Sequence, residues 1–244
     1  MMERLNNQPY QLIAHRGYSA VAPENTLASF KAALNQSIWG VEFDLHISAD
    51  GVPVIIHDGT VERTTNGSGK VAEKLIAQLQ SLNAGTWFHP QFANETIPTL
   101  EQVLTLFWPT PVTLYIELKS PQTWSNFAVS NLIQILQPWR DRAVIASFDH
   151  TFLNQFHQDS PQFHVGYAIS NFKQYLPEYL KRFKTDTDLL FPHFSLILEQ
   201  PSVTQTLLHQ GWEMIPWTVD EVSIAEKLAS FNMTRIITNN LLRT

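Results

Sequence analysis

Apolar residues along this chain fall into short runs, several of them alternating with polar residues. The runs are separated by stretches in which apolar residues recur at three- and four-residue spacing. Such an alternation of periods predicts repeated βα units. Strands are expected at 11–15, 40–47, 112–119, 143–148, 164–169, 188–194, 213–219 and 235–238, the run at 188–194 being interrupted by Pro192. Helices are expected at 26–37, 124–136, 150–159, 172–183, 201–210 and 222–231, with Asn25 as N-cap of the first and Leu27, Phe30 and Leu34 on one of its faces. Between His57 and Val112 the rhythm breaks. Residues 59–70 are rich in Gly, Thr and Asn, and the next stretch is punctuated by Pro90 and Pro98. An insertion at about 59–111 is therefore expected after the second barrel strand region. Eight strands in 244 residues predict an α/β fold of one domain over 1–244, a (β/α)₈ TIM barrel whose active site lies at the C-terminal ends of the strands.

Composition narrows the partners. A formal net charge of −6 gives no bulk attraction to a phosphate backbone, so no nucleic-acid partner is expected and a small-molecule substrate is. With no cysteine there are no disulfides, thiolate metal sites or cysteine nucleophiles, which is compatible with a cytoplasmic location. Residues 1–8 are polar and carry no signal or anchor pattern, so no stable membrane anchor is expected.

In Gly40-Val41-Glu42-Phe43-Asp44-Leu45-His46-Ile47 the alternation is strict. Glu42, Asp44 and His46 share one face, Val41, Phe43, Leu45 and Ile47 the other. On an open sheet the polar face would simply meet water. In a parallel barrel it points into the lumen, where adjacent carboxylates repel unless a cation or protons neutralise them. Glu117 and Lys119 share a face in a second strand, either as a third carboxylate with a counter-charge or as a buried ion pair. Three oxygen donors favour a hard divalent cation, Mg²⁺ or Ca²⁺ with Mn²⁺ as a further choice, over Zn²⁺.

His15 and His57 each end an apolar strand and precede a polar residue, the position at which barrels do chemistry. Arg16 is suited to hold a phosphate oxygen, Lys119 offers a second positive charge, and Trp217 could wall a pocket or fill the core. His46 lies further along its strand and is expected to support the site or face solvent. His89, His150, His157, His164, His193 and His209 are read as ordinary hydrogen-bonded histidines. Thr65-Asn66-Gly67-Ser68-Gly69-Lys70 lacks P-loop spacing and is read as a turn.

These pieces together resemble the glycerophosphodiester phosphodiesterase family. The matching segments are His15-Arg16-Gly17, Pro23-Glu24-Asn25-Thr26, Glu42-Phe43-Asp44, Asp50 to Val54, His57-Asp58, Thr64 to Gly67, Ile97 to Leu100, Glu117-Leu118-Lys119 and Trp217-Thr218-Val219, in family order. One departure is in Ile236-Ile237-Thr238-Asn239-Asn240, which has Asn at the position where the family usually carries Asp. The resemblance implies a metal site of Glu42, Asp44 and Glu117, His15 and His57 as acid and base in either order, and glycerol 3-phosphate plus an alcohol as products. Two other readings stay open: a phospholipase D-like barrel acting on lysophospholipids, and a non-catalytic module that binds phosphodiesters. A metal-dependent amidohydrolase barrel fits less well, because such sites use several metal-binding histidines.

Overall fold

The computed structural model describes residues 9–183 and 189–241. The reading of residues 1–8, and Asp188 at the start of one expected strand, lie outside the described residues. Nine strands form one sheet: β1 (Gln11–His15), β2 (Gly40–Ile47), β3 (Pro53–Ile55), β4 (Thr113–Leu118), β5 (Ala143–Ser147), β6 (His164–Ile169), β7 (Leu189–Pro192), β8 (Glu213–Met214) and β9 (Arg235–Thr238). Eight of them follow the spatial order β8-β7-β6-β5-β4-β2-β1-β9, all parallel neighbours, while β3 folds back antiparallel on β2.

The ring closes past the end of β8. Ile237 N–H donates to Pro216 O and Val219 N–H donates to Ile237 O, each at 2.9 Å. Regular strand geometry in the expected 213–219 run stops early, where Pro216 has no N–H to give the ladder. The segment still continues beside β7 through Trp217 N–H to Pro192 O at 3.1 Å. The result is a (β/α)₈ TIM barrel, with the expected strands present and β7 ending at Pro192 because Phe194–Glu199 is helical.

Two apolar layers hold it. Outward-facing Val41, Phe43, Leu45, Leu114, Ile116 and Leu118 pack with Phe30, Leu100, Val103, Phe107 and other helix residues. Inward-facing Ile13, Tyr115, Val144, Ala146, Phe191 and Ile215 fill the lumen, so the barrel has a solid floor beneath its polar end. Burial of all these side chains is what the alternation along β2 and β4 encodes.

Several boundaries differ from the sequence reading. The first helix is Leu27–Leu34 and its N-cap is Thr26, not Asn25: Thr26 Oγ1 accepts from Ser29 N–H while Ser29 Oγ accepts from Thr26 N–H. The expected helix at 172–183 is two short helices, Phe172–Tyr175 and Pro177–Leu180, because Pro177 starts a new helix. The excursion from the barrel begins at Ser48, directly after β2, and ends at Thr99. Helix Leu100–Phe107, placed in the insertion by the sequence reading, belongs to the barrel and buries Leu100, Val103 and Phe107 in its main core. The excursion has a small core of its own, built on Val54, Ile56, Val61, Val71, Leu79 and Ile97. Among the described residues, no helix is long and apolar enough to cross a membrane.

Candidate active site

Register brings the acidic side chains together. β2 and β4 pair with Asp44 opposite Glu117, and β1 pairs with β2 with His15 opposite Glu42, so all four side chains face the lumen at its C-terminal end. One carboxylate oxygen from each of Glu42, Asp44 and Glu117 lies within 4.8 Å of the others. Two cations close the cluster: Lys119 Nζ is 3.0 Å from Asp44 Oδ1 and 2.5 Å from Glu117 Oε1, and Arg16 Nε is 3.2 Å from Asp44 Oδ2.

Electrostatics separate the three acids. Burial, then the neighbouring Asp44 and Glu117 charges, push Glu42 well above the ordinary carboxylate range. Burial likewise raises Glu117, to about 7, despite Lys119. Burial acts the same way on Asp44, but Lys119 and Arg16 outweigh it and hold the carboxyl far below its usual value. Asp44 Oδ1 and Glu117 Oε1 are buried and receive no hydrogen bond of acceptable geometry even though Lys119 is close. Buried acceptors left in this state, in an all-oxygen donor set, fit a hard divalent cation.

The two histidines stand on different supports. His15 ends β1, with Nε2 3.8 Å from Glu42 Oε2 and Nδ1 2.7 Å from Asn239 Oδ1. Burial and the adjacent Arg16 guanidinium lower its pKa to about 4, so it is neutral at pH 7. His57 does not end a barrel strand. It lies two residues past β3, outside the ring, and the antiparallel return of β3 along β2 carries it back to the mouth. Its Nδ1 is 2.6 Å from Asp58 Oδ1, and its pKa is lowered by burial, with Asp44, Lys119 and Arg16 all acting on it. His46, on the inward face of β2, donates from Nε2 to the His57 carbonyl at 3.1 Å and so braces that loop.

The backbone around the site is unusual. Arg16, Asn25 and Ser120 have φ of 56°, 57° and 48°, a region costly for residues with a Cβ. The left-handed turn at Arg16 points its N–H to Glu42 Oε2 at 3.2 Å, and its side chain reaches Glu24 at 2.9 Å.

Sequence reasoning missed several participants. Asn25 donates from Nδ2 to Asp44 Oδ2 at 2.8 Å. Arg63, from the excursion, grips both Glu24 oxygens at 2.8 and 2.9 Å and Asp58 Oδ2 at 2.7 Å, tying the excursion to the His57 loop. Glu24 and Asn25 lie inside the Pro23-Glu24-Asn25-Thr26 segment and Arg63 directly precedes Thr64 to Gly67, and that placement in sequence is the signal that could have found them. Trp217 is half-buried: it donates from Nε1 to Phe191 O at 2.6 Å and meets Phe148 edge-on at 5.6 Å between centroids. Phe148 in turn has Lys119 Nζ 6.0 Å from its centroid, which puts Trp217 at the rim of the acidic cluster.

Comparison with known proteins agrees with this architecture. A glycerophosphodiester phosphodiesterase of Caldanaerobacter subterraneus subsp. tengcongensis is 32% identical over 231 residues, covering 94% of this chain and 93% of its own. One from Bacillus subtilis is 30% identical, covering 93% of this chain and 82% of its own. Among solved structures, a phosphodiesterase of Oleispira antarctica in complex with its product sn-glycerol-3-phosphate superposes with a TM-score of 0.82 at 29% identity, covering 94% of this chain and 93% of that one. A family model described as the glycerophosphoryl diester phosphodiesterase family matches residues 15–243, from the first site histidine almost to the C-terminus. With its barrel and acidic mouth inside that match, the chain belongs to the glycerophosphoryl diester phosphodiesterase family.

Proposed function

We propose that this protein hydrolyses water-soluble glycerophosphodiesters to glycerol 3-phosphate and a free alcohol, using a divalent cation held by Glu42, Asp44 and Glu117. The observation that carries the reading is the meeting of those three carboxylates within 4.8 Å, beside His15, Arg16 and Lys119. The activity belongs to the named relatives, and the Oleispira antarctica neighbour was solved with sn-glycerol-3-phosphate as product.

A phosphodiester anion repels nucleophiles, so its charge must be spread and its leaving oxygen protonated. A bound Mg²⁺, Ca²⁺ or Mn²⁺ supplies positive charge for the phosphoryl oxygens and helps orient the attacking group. Arg16 and Lys119 add donors on the same centre, the guanidinium by paired charge-assisted bonds. His15 and His57 divide the proton transfers. Each has Nδ1 tied to a side-chain oxygen, which leaves Nε2 as the working atom. Trp217 and Phe148 wall the side of the mouth next to Lys119. The cytoplasm is the compartment that goes with this proposal.

The test is a substrate panel with metal titration. Glycerophosphocholine and related deacylated diesters are assayed with Mg²⁺, Ca²⁺ or Mn²⁺, then with EDTA, beside lysolipid micelles. Turnover of the soluble diesters that EDTA abolishes is expected. Full activity in EDTA, tight binding without turnover, or activity confined to micellar lysolipid would each overturn the proposal.

A further inference from the structure

Beyond the acidic cluster, the last barrel strand ends in a hydrogen-bond chain that leads from solvent to His15. Asp220 follows the closing segment of the ring. Its Oδ1 accepts from the Thr238 hydroxyl at 3.0 Å and from Asn239 N–H at 2.8 Å, and its Oδ2 accepts from Asn239 Nδ2 at 2.8 Å. A carboxylate offers only acceptors, so the atom of the Asn239 amide that faces it has to be the NH₂ group. The amide oxygen is thereby turned to His15, 2.7 Å from Nδ1. An amide oxygen also only accepts, so the His15 proton sits on Nδ1 and the lone pair on Nε2, the nitrogen that faces Glu42. The Ser19 hydroxyl lies 2.9 Å from both Asn239 Oδ1 and the His15 carbonyl, bracing the same junction.

We propose that Asp220 is a positioning residue which, through the Asn239 amide, sets the ring orientation and tautomer of His15 so that Nε2 is free to take a proton. The proposal rests on the reading of His15 as a proton-transfer group. It assigns work to two side chains outside the cluster of Glu42, Asp44 and Glu117. Direction is the whole content of the chain: reversing one amide reverses the histidine.

That direction makes the test specific. In Asp220→Asn the retained oxygen still serves Thr238 and the Asn239 N–H, but the new NH₂ faces the Asn239 NH₂. The Asn239 amide then turns over, presents NH₂ to His15 and forces the proton onto Nε2. A kcat at least about tenfold lower is expected, with KM little changed, since proton transfer of this kind contributes on the order of a hundredfold or more. Nitrogen-15 NMR of the folded variant should show the His15 proton moved from Nδ1 to Nε2. In the double variant Asp220→Asn with Asn239→Asp, the donor and acceptor are exchanged and the acceptor to Nδ1 is restored. Both kcat and the Nδ1–H signature should return to within a few fold of wild type.

A single variant with wild-type kcat and an unchanged tautomer would overturn the proposal, as would a double variant no better than the single one. His15→Ala, assayed in parallel, separates the two levels. If it turns over at the wild-type rate, the role given to His15 is wrong. If it is inactive while Asp220→Asn is not impaired, only the positioning chain fails.

Discussion

The Lys119 ammonium stands 2.5 Å from Glu117 Oε1 and 3.0 Å from Asp44 Oδ1, so one lysine is shared between the buried Asp44 and the partly buried Glu117. Glu117, which burial lifts to about 7, therefore carries a proton over part of the neutral range, and burial raises Glu42 in the same direction. Cation uptake has to displace those protons. Affinity for Mn²⁺ should weaken by about fourfold from pH 8 to pH 6.5 through Glu117 alone, and more with Glu42. Calorimetry in buffers of different ionisation enthalpy reads the proton release directly. Equal affinity and no released proton at both pH values would contradict the assignment of these acids as ligands.

Stability of the metal-free protein depends on the same shifts, with signs of its own. A carboxylate whose folded pKa is raised holds a proton that the unfolded chain has lost, so its contribution falls as pH rises from about 4.5 through about 7. His15 and His57 are lowered by burial, so theirs falls as pH drops from 6.5, for His15 down to about 4. The two sets oppose each other below 6.5, and above it the acids act alone. In EDTA the melting temperature should therefore drop between pH 6.5 and pH 8, and added cation should remove the drop. A melting curve in EDTA that is flat over this interval would show that folding does not raise the acids as described.

Much of this site was legible in the sequence because strand period converts spacing into direction. Glu42 and Asp44 alternate with apolar residues, so one register places both in the lumen, and Glu117 arrives opposite Asp44 by parallel pairing. His57 was found for a partly different reason: it follows an apolar run, but that run is β3, which doubles back on β2 and is not part of the ring. Amide and guanidinium partners were not legible. Asn25, Asn239 and Arg63 act through hydrogen bonds between distant segments, and no periodicity marks such residues. Helix Leu100–Phe107 was absorbed into the insertion although Thr99 and Gln102 form a capping box at its start, because Pro98 next to it reads as a loop.

Acid and base roles can be separated by the leaving group. His15→Ala and His57→Ala should each lose on the order of a hundredfold or more on glycerophosphocholine. On a glycerol phosphodiester of p-nitrophenol, whose leaving oxygen needs no proton, the variant lacking the acid should recover most of its rate and the other should not. Equal impairment of both variants on both substrates would rule out this division of labour.

Arg63 should matter although it touches no proposed metal ligand. It forms two bonds to Glu24 and holds Asp58, which in turn is 2.6 Å from His57 Nδ1. Arg63→Met should lower kcat by about tenfold through misplacement of His57. Arg63→Lys should recover only part of this, because an ammonium cannot present the planar fork. Steady-state rates of the two variants check the claim, which fails if Met at this position is as active as Arg.

Gly17 is a position where a single methyl group should harm both backbone and packing. Its φ is +80°, and a Cβ there would lie 2.4 Å from Ser29 Oγ and 2.7 Å from the Ser29 carbonyl carbon. Ser29 cannot move away freely, since its hydroxyl donates to Arg16 O at 2.9 Å and its carbonyl accepts from Tyr18 N–H at 3.0 Å. Gly17→Ala therefore combines left-handed backbone strain of about 1–2 kcal/mol with overpacking of about 1–3 kcal/mol. Gly51 is the control. Its φ is +82°, but the nearest atom to an added Cβ is on Phe127 at 3.9 Å, so Gly51→Ala meets the backbone strain alone. Denaturant unfolding should rank Gly17→Ala below Gly51→Ala by about 1–3 kcal/mol. Only the former should also lose activity, because the turn that strains is the one aiming Arg16 and His15. Equal losses in the two variants would mean that Ser29 yields, and that the Arg16 turn is held less tightly than its contacts indicate.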